Sequence, residues 1–198
     1  ERRAGVPDAI AGATISSGVI RSGVVRTART LAGLHGLIAG EGGRQINMTS
    51  AASLPWEALI KSKAVAQLHV TAKEADAAIG IPGNAEPDST FIDLFVAVVD
   101  PPGIGVSLLG EADYSALAGG MGAGDHAIVV AANGLYSFKG TSWRKSGTFE
   151  RVEIAQGPRT IALTRDQHRS LQKFAASGAP DFREIGLFVL PAATGFDP

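Results

Sequence analysis

The stretch Phe91-Ile92-Asp93-Leu94-Phe95-Val96-Ala97-Val98-Val99 decides the fold expected for this chain. It is short, almost continuously apolar and rich in β-branched and aromatic residues, which predicts a central strand buried on both faces. Other strands are predicted before and after it, at 64–70, 127–132, 135–138, 148–154, 160–163 and 185–190. Asn133-Gly134 is a hairpin signal between two of them.

Short helices are predicted between these strands. Pro55 to Lys63 should be a helix with Trp56 and Leu59 facing inward. Thr71 is expected to cap a helix over 72–79, which Gly80 ends. Further helices are predicted around 105–118 and over 166–177, the latter with Leu171 and Phe174 inward. Grouped strands interspersed with short helices favour an α+β fold over a regular parallel βαβ fold.

The composition excludes several classes of function. The chain has 198 residues, a net charge of −1 and no cysteine. Disulfides and Cys-ligated zinc or iron–sulfur clusters are therefore excluded within it. No basic stripe indicates nucleic acid binding, and no apolar run reaches the ~20 residues of a membrane span.

One motif near the start carries chemistry. Asp8-Ala9-Ile10-Ala11-Gly12-Ala13-Thr14 precedes a predicted helix whose apolar stripe includes Ile20, Val24, Ala28 and Leu31. It resembles the flavinylation motif of FMN-binding domains in Rnf and Na⁺-pumping quinone reductase subunits. In such families a flavin transferase moves FMN from FAD onto the final Thr, which by position is Thr14.

The residues of this motif suit a phosphoester at Thr14. Free N–H groups and the positive end of a helix dipole favour an anion where a helix begins. Gly12 and Ala13 leave room for the transferase and the flavin, and Asp8 is a candidate recognition or metal-orienting group during the transfer. The sequence departs from the family pattern at Ala11, where a Ser or Thr is usual.

Segments of the remaining chain resemble, in order, the periplasmic part of the nitrous-oxide reductase regulator family, NosR. They are Thr90–Phe95, Ser107–Glu111, Tyr136–Gly140, Phe149–Arg151, Gln156-Gly157, Phe182–Phe188 and Gly195–Pro198. The resemblance implies the C-terminal piece of an FMN-binding domain at 1–35, followed by a family-specific mixed-sheet α+β module at 55–198. Residues 36–54, rich in Gly, Ser, Thr and Asn, are predicted to link the two.

Members of that family are anchored in the inner membrane, carry covalent FMN on its periplasmic side and have cytoplasmic iron–sulfur clusters. The resemblance therefore implies FMN bonded through its phosphate to Thr14, iron–sulfur clusters only outside this chain, and a place at the periplasmic face of the bacterial inner membrane. It implies three partners: a flavin transferase, nitrous-oxide reductase or its assembly factors, and the membrane, through helices missing from this chain. The chain is expected to start inside the flavin-binding fold.

Two functions follow as hypotheses. The first is electron transfer through FMN in support of the expression, maturation or activity of nitrous-oxide reductase, with no residue of this chain as catalytic acid, base or metal ligand. The second is a docking or maturation module, residues 55–198, with no redox role of its own. A flavinylated subunit of an Rnf-like pump is a third reading, which the NosR-like segments argue against.

Other signals are weaker. The glycine-rich loop Gly120–Gly124 precedes a strand, so it fails the dinucleotide fingerprint. Asp125, His126 and Ser137 have the side chains of a hydrolase triad, but the sequence argues against one because it contains no nucleophile elbow. The histidines lack metal-site spacing: His35, His69, His126 and His168. One aromatic and basic cluster is interpreted either as hairpin packing or as a docking surface for the flavin ring or a partner; it contains Tyr136, Phe138, Lys139, Trp143 and Arg144.

Overall fold

The computed structural model describes residues 52–80, 83, 85–156 and 158–198. Among these, Val70–Phe91 belong to one compact unit, and the residues up to His69 together with Ile92–Pro198 belong to a second, larger one. The predicted domain boundaries between residues 35 and 55 stay predictions.

The described residues form an α+β fold, as predicted. Their strands are β1 Ala66–Thr71, β2 Thr90–Val98, β3 His126–Asn133, β4 Thr148–Gln156, β5 Arg159–Thr164, β6 His168–Leu171 and β7 Glu184–Leu190. Their α-helices are α1 Trp56–Lys61, α2 Ala72–Ile79, α3 Pro102–Leu109, α4 Glu111–Gly120 and α5 Trp143–Ser146, with single 3₁₀ turns at Arg165–Gln167 and Ala192–Thr194.

Five strands form one sheet in the order β1-β2-β3-β7-β6, and β4 pairs with β5 in a separate two-stranded sheet. The strand β3 is antiparallel to both β2 and β7, with Val96 opposite Val130 and Val129 opposite Leu187. The strand predicted to be central, β2, is an interior strand, whereas β3 takes the middle of the five.

Both faces of the large sheet are covered around β3, which explains why six consecutive residues of β3 are buried. On one face, Val129 and Leu187 share a core with Leu59 of α1 and Leu108 of α3, both fully buried. On the other face, Phe188 of β7 meets Phe149 of β4 with ring centroids 5.1 Å apart.

An aromatic cluster anchors α1 to this core. The Trp56 ring lies 5.4 Å from Phe95, 5.8 Å from Phe174 and 5.7 Å from Phe182, measured between centroids. Leu59 is also buried, so both residues predicted to face inward from this helix do so. The cluster joins segments that are far apart in sequence.

The predicted helix over 166–177 is wrong. A 3₁₀ turn at Arg165–Gln167 is followed by the strand β6, which pairs with β7 so that Arg169 lies opposite Leu187. The side chain of Gln167 accepts a hydrogen bond from the Thr164 backbone N–H (2.9 Å), which fixes this turn. The edge of β7 thus offers a ladder of hydrogen bonds that outweighs the local helical pattern.

The predicted hairpin at Asn133-Gly134 and the predicted strand over 135–138 are also wrong. Asn133 instead joins the end of β3 to the segment before β7: its Oδ1 accepts from the Arg183 backbone N–H (2.7 Å), and its Nδ2 donates to the Asp181 carbonyl (2.9 Å). The chain after Asn133 therefore leaves the sheet as a loop.

Two helical predictions can be compared directly. The helix α2 has the predicted Thr71 cap, in a capping box with Glu74. The single helix predicted around 105–118 is two helices, α3 and α4, separated at Gly110, whose φ of 82° interrupts the helical path.

Candidate functional site

The four residues predicted to bind the flavin, Asp8, Gly12, Ala13 and Thr14, lie outside the described residues, as do the helix predicted after them and His35. Their assignment stays a prediction from the sequence. The site described below lies within the larger unit.

Three of the NosR-like segments meet next to the start of β7. The Glu184 carboxylate accepts hydrogen bonds from Ser137 Oγ (2.9 Å) and from the Phe138 backbone N–H (2.6 Å). Arg151 donates through its guanidinium to the Ser137 carbonyl at 3.1 Å. Residues separated by more than 40 positions in sequence are thus fastened around one short loop.

Lys139 is a buried cation in this site, with 8% of its surface exposed. Its Nζ donates to the Ile185 carbonyl (2.5 Å) and to Ser170 Oγ (3.2 Å). Burial lowers the pKa of this ammonium group, and the nearby Glu184 carboxylate opposes that shift. The lysine therefore links β6, β7 and the loop at an electrostatic cost that its hydrogen bonds offset.

Four aromatic rings pack against one another near Lys139. Trp143 lies nearly parallel to Phe149, with centroids 4.9 Å apart, and His168 contacts Trp143, Phe149 and Phe188 at 5.1, 4.9 and 5.0 Å. Gly186 makes room for this stack, because a Cβ there would lie 2.8 Å from the Phe188 ring. The residues that the sequence grouped around a hairpin have different partners here: Lys139 bonds Ser170 and Ile185, whereas Trp143 packs on Phe149 and His168.

His168 is held neutral by these rings. Desolvation, with the nearby Lys139 charge as a smaller cause, lowers its pKa from 6.5 to about 4. Its Nε2 is buried and has no hydrogen-bond partner. Both basic groups are thus enclosed, and burial disfavours the protonated form of each.

A His168→Phe variant is expected to be less sensitive to acid than the wild type. The folded state resists protonation of His168, so the unfolded state binds the extra proton between pH 6.5 and about 4, and stability is lost as pH falls through that window. The ring remains in the variant while the titration disappears. Urea unfolding at pH 7 and pH 4.5 should show a smaller loss in the variant, by on the order of 1–2 kcal/mol after allowing for partial exposure.

His69 offers the matched control for this comparison, because its side chain is 48% exposed. His69→Phe should keep the acid sensitivity that comes from His168, and it also removes the 3.5 Å contact between His69 Nδ1 and Asp93 Oδ1. An unchanged loss of stability in His168→Phe would show that His168 does not contribute to it.

The residues of the hypothetical hydrolase triad are not brought together. The Asp125 carboxylate accepts from the Ala192 and Gly122 backbone N–H groups (2.9 and 2.8 Å), and these bonds lower the pKa of that carboxyl. Ser137 is bound to Glu184. The Asp125–His126 pairing considered from the sequence therefore does not form.

His126 pairs instead with Asp100, a contact that the sequence analysis missed. His126 Nδ1 lies 2.6 Å from Asp100 Oδ2, and Asp100 Oδ1 accepts from the Ala127 backbone N–H (2.6 Å). The antiparallel register would have indicated the pair: Val98 lies opposite Ile128, and continuing that ladder brings position 100 to position 126. The pair fastens the end of β2 to the start of β3.

Among the described residues, no group of three or more His, Cys, Asp or Glu side chains could hold a metal ion. Nor does any helix in that part of the chain combine the length and apolar character needed to cross a membrane.

Similarity to known proteins covers nearly the whole chain. It is 40% identical to Protein NirI of Paracoccus denitrificans over 98% of its length. It is 35% and 34% identical to the regulatory protein NosR of Pseudomonas aeruginosa and of Stutzerimonas stutzeri, in each case over 96% of its length. No family model and no solved structure matches.

The chain spans 28% of the length of each of these relatives, so it corresponds to one region of a longer protein in each case. Identity of 34–40% over almost every residue of the chain is strong evidence of common descent. Together with the convergence of the NosR-like segments in one site, it shows that the chain belongs to the NosR and NirI family.

Proposed function

We propose that this chain is the periplasmic region of a membrane-anchored flavoprotein that carries FMN on Thr14 and supports nitrous-oxide reductase in denitrification by electron transfer. The observation that carries the proposal is the similarity to NosR and NirI proteins over 96–98% of the chain. NosR is named a regulatory protein in both organisms, which supports a regulatory role for this chain.

The flavin part of the proposal rests on the motif Asp8–Thr14. Thr14 would hold FMN through a phosphoester, with Gly12 and Ala13 leaving space for it and Asp8 serving in recognition or in orienting a metal ion during attachment. When bound, FMN supplies one- and two-electron redox chemistry, and the protein supplies position and electrostatics. The expected helix start after Thr14 would stabilise the phosphodiester charge.

A second function, docking or maturation of the reductase without a redox role, is favoured by a separate observation. The site around Lys139 and Glu184 is built from the NosR-like segments, yet it fixes a surface loop. A loop held in place by a rigid scaffold is typical of recognition. The two functions are compatible within one protein, and the experiment below separates them.

Mass spectrometry of the chain after co-expression with a flavin transferase tests the flavin assignment. The expected result is a tryptic peptide containing Thr14 whose mass is increased by that of FMN less one water, together with flavin absorbance in the denatured protein. An unmodified Thr14 peptide, with flavin absent or on another residue, would contradict the assignment and leave the docking function as the better proposal.

A further inference from the structure

The loop Gly134–Gly140, here called the anchored loop, is fixed by side chains from distant strands. The Arg183 guanidinium donates to the carbonyls of Gly134 and Leu135 (2.8 and 3.2 Å), and that of Arg151 donates to Ser137. Two further bonds hold the loop to β7: Glu184 accepts from the loop backbone, and Lys139, within the loop, donates to a carbonyl of β7. Irregular backbone held by so many long-range bonds has little freedom left to lose when it binds something.

This rigid loop presents an apolar residue to solvent. Leu135 is 56% exposed, and Leu54 at 38% is the other large hydrophobic side chain that is exposed in the described part of the chain. Phe138, three residues later, is almost fully buried and anchors the loop from below. A single exposed leucine is ordinary, but this one lies on a loop whose backbone is bonded by two arginines.

Two exposed arginines contact the anchored loop. Arg151 and Arg183 are exposed, and each keeps guanidinium N–H groups beyond those bonded to the loop. Arg151 also lies over the Tyr136 ring, 5.2 Å from its centroid.

We propose that the anchored loop is a docking site for a partner protein that presents carboxylates around an apolar pocket for Leu135. Arginine beside an aromatic or apolar anchor is the usual composition of protein interface hot spots, and a guanidinium binds a carboxylate through two parallel bonds. Exposed acidic residues close to these arginines in sequence, Glu150 and Asp181, favour a patterned protein surface over a uniformly anionic nucleic acid or lipid. The proposal needs no flavin on Thr14, so it stands or falls separately from the electron-transfer function.

Photocrosslinking in whole cells tests it. A benzophenone amino acid replaces Leu135 in the full-length protein, and the same replacement at Leu54 serves as control. The expected result is a crosslink to one acidic protein at position 135 and none at position 54. That protein is then purified, and its rate of association with the chain is measured. The association rate should fall as the salt concentration rises. Introducing Arg151→Glu or Arg183→Glu should reduce the product at least 10-fold, because each reverses a charge beside the anchor.

Arg159→Glu is the matched charge reversal, since Arg159 is exposed and also donates to a backbone carbonyl, that of Gly195 at 3.2 Å. It should leave the product nearly unchanged. The proposal is overturned by any of these results: no product at position 135, a product of equal yield at position 54, crosslinks to lipid or within the same chain, or equal losses in all three charge reversals.

Discussion

A Thr14→Val variant is expected to contain no covalent FMN and, on the electron-transfer proposal, to lose its support of nitrous-oxide reductase. Valine matches the shape of threonine but has no hydroxyl, so no oxygen is available to bond the phosphorus. In the transfer reaction the Thr14 Oγ–P bond would form as the pyrophosphate bond of FAD breaks, with AMP leaving and the hydroxyl proton passing to a base. The measurement pairs flavin content with nitrous-oxide reduction by cells that carry the full-length variant.

Ser17→Ala is the control, because it removes a hydroxyl from the same predicted helix start without touching the acceptor. It should keep the flavin and the activity. If Thr14→Val lost the flavin but kept full reductase activity, electron transfer through this flavin would be excluded and the docking function would remain. A variant that kept its flavin would show that Thr14 is not the acceptor.

A Phe188→Ala variant is expected to lose about 3–5 kcal/mol of unfolding free energy. Phe188 is fully buried on β7, opposite His168, and its ring contacts both Phe149 and His168. Truncation would leave a cavity between the two sheets, since Gly186 beside it has no side chain to fill the space. Urea unfolding followed by circular dichroism gives the difference.

The cavity has a second consequence that local instability alone would not produce. Water entering beside His168 should raise its pKa from about 4 toward 6.5, which an NMR titration of the imidazole would detect. Phe196→Ala is the comparison, because Phe196 is only partly buried and its ring lies 5.7 Å from that of His126. It should cost much less, and an equal loss in both variants would contradict the role given to Phe188.

Apolar runs predicted the large sheet well, because a continuous apolar run directly indicates a strand that is buried on both faces. The interior strands β2, β3 and β7 lie where the sequence placed strands, and Thr71 caps α2 as expected. The helix predicted over 166–177 was wrong for a reason that is not local. Its sequence could form either structure, and the unpaired edge of β7, which decides between them, follows it in the chain.

The candidate site was predicted less completely. The aromatic and basic residues near 136–144 were identified as a group, but their partners on β6 and β7 were not. The backbone of the anchored loop is satisfied by Arg183, Glu184 and Arg151, and no periodicity signals a bond from a side chain that far along the sequence. The burial of His168 was likewise not predictable from the sequence, because the rings that enclose it belong to Trp143, Phe149 and Phe188.

The position of β3 in the middle of the sheet also has a consequence for synthesis on the ribosome. Its partner β2 precedes it, but β7, which covers its other edge, begins only at Glu184, after β3 ends at Asn133. At about 5–20 residues per second, the nascent chain would expose that bare apolar edge for several seconds. Such an edge can pair with other chains, so a chaperone that shields β3 until β7 emerges would be an advantage during folding in the cell.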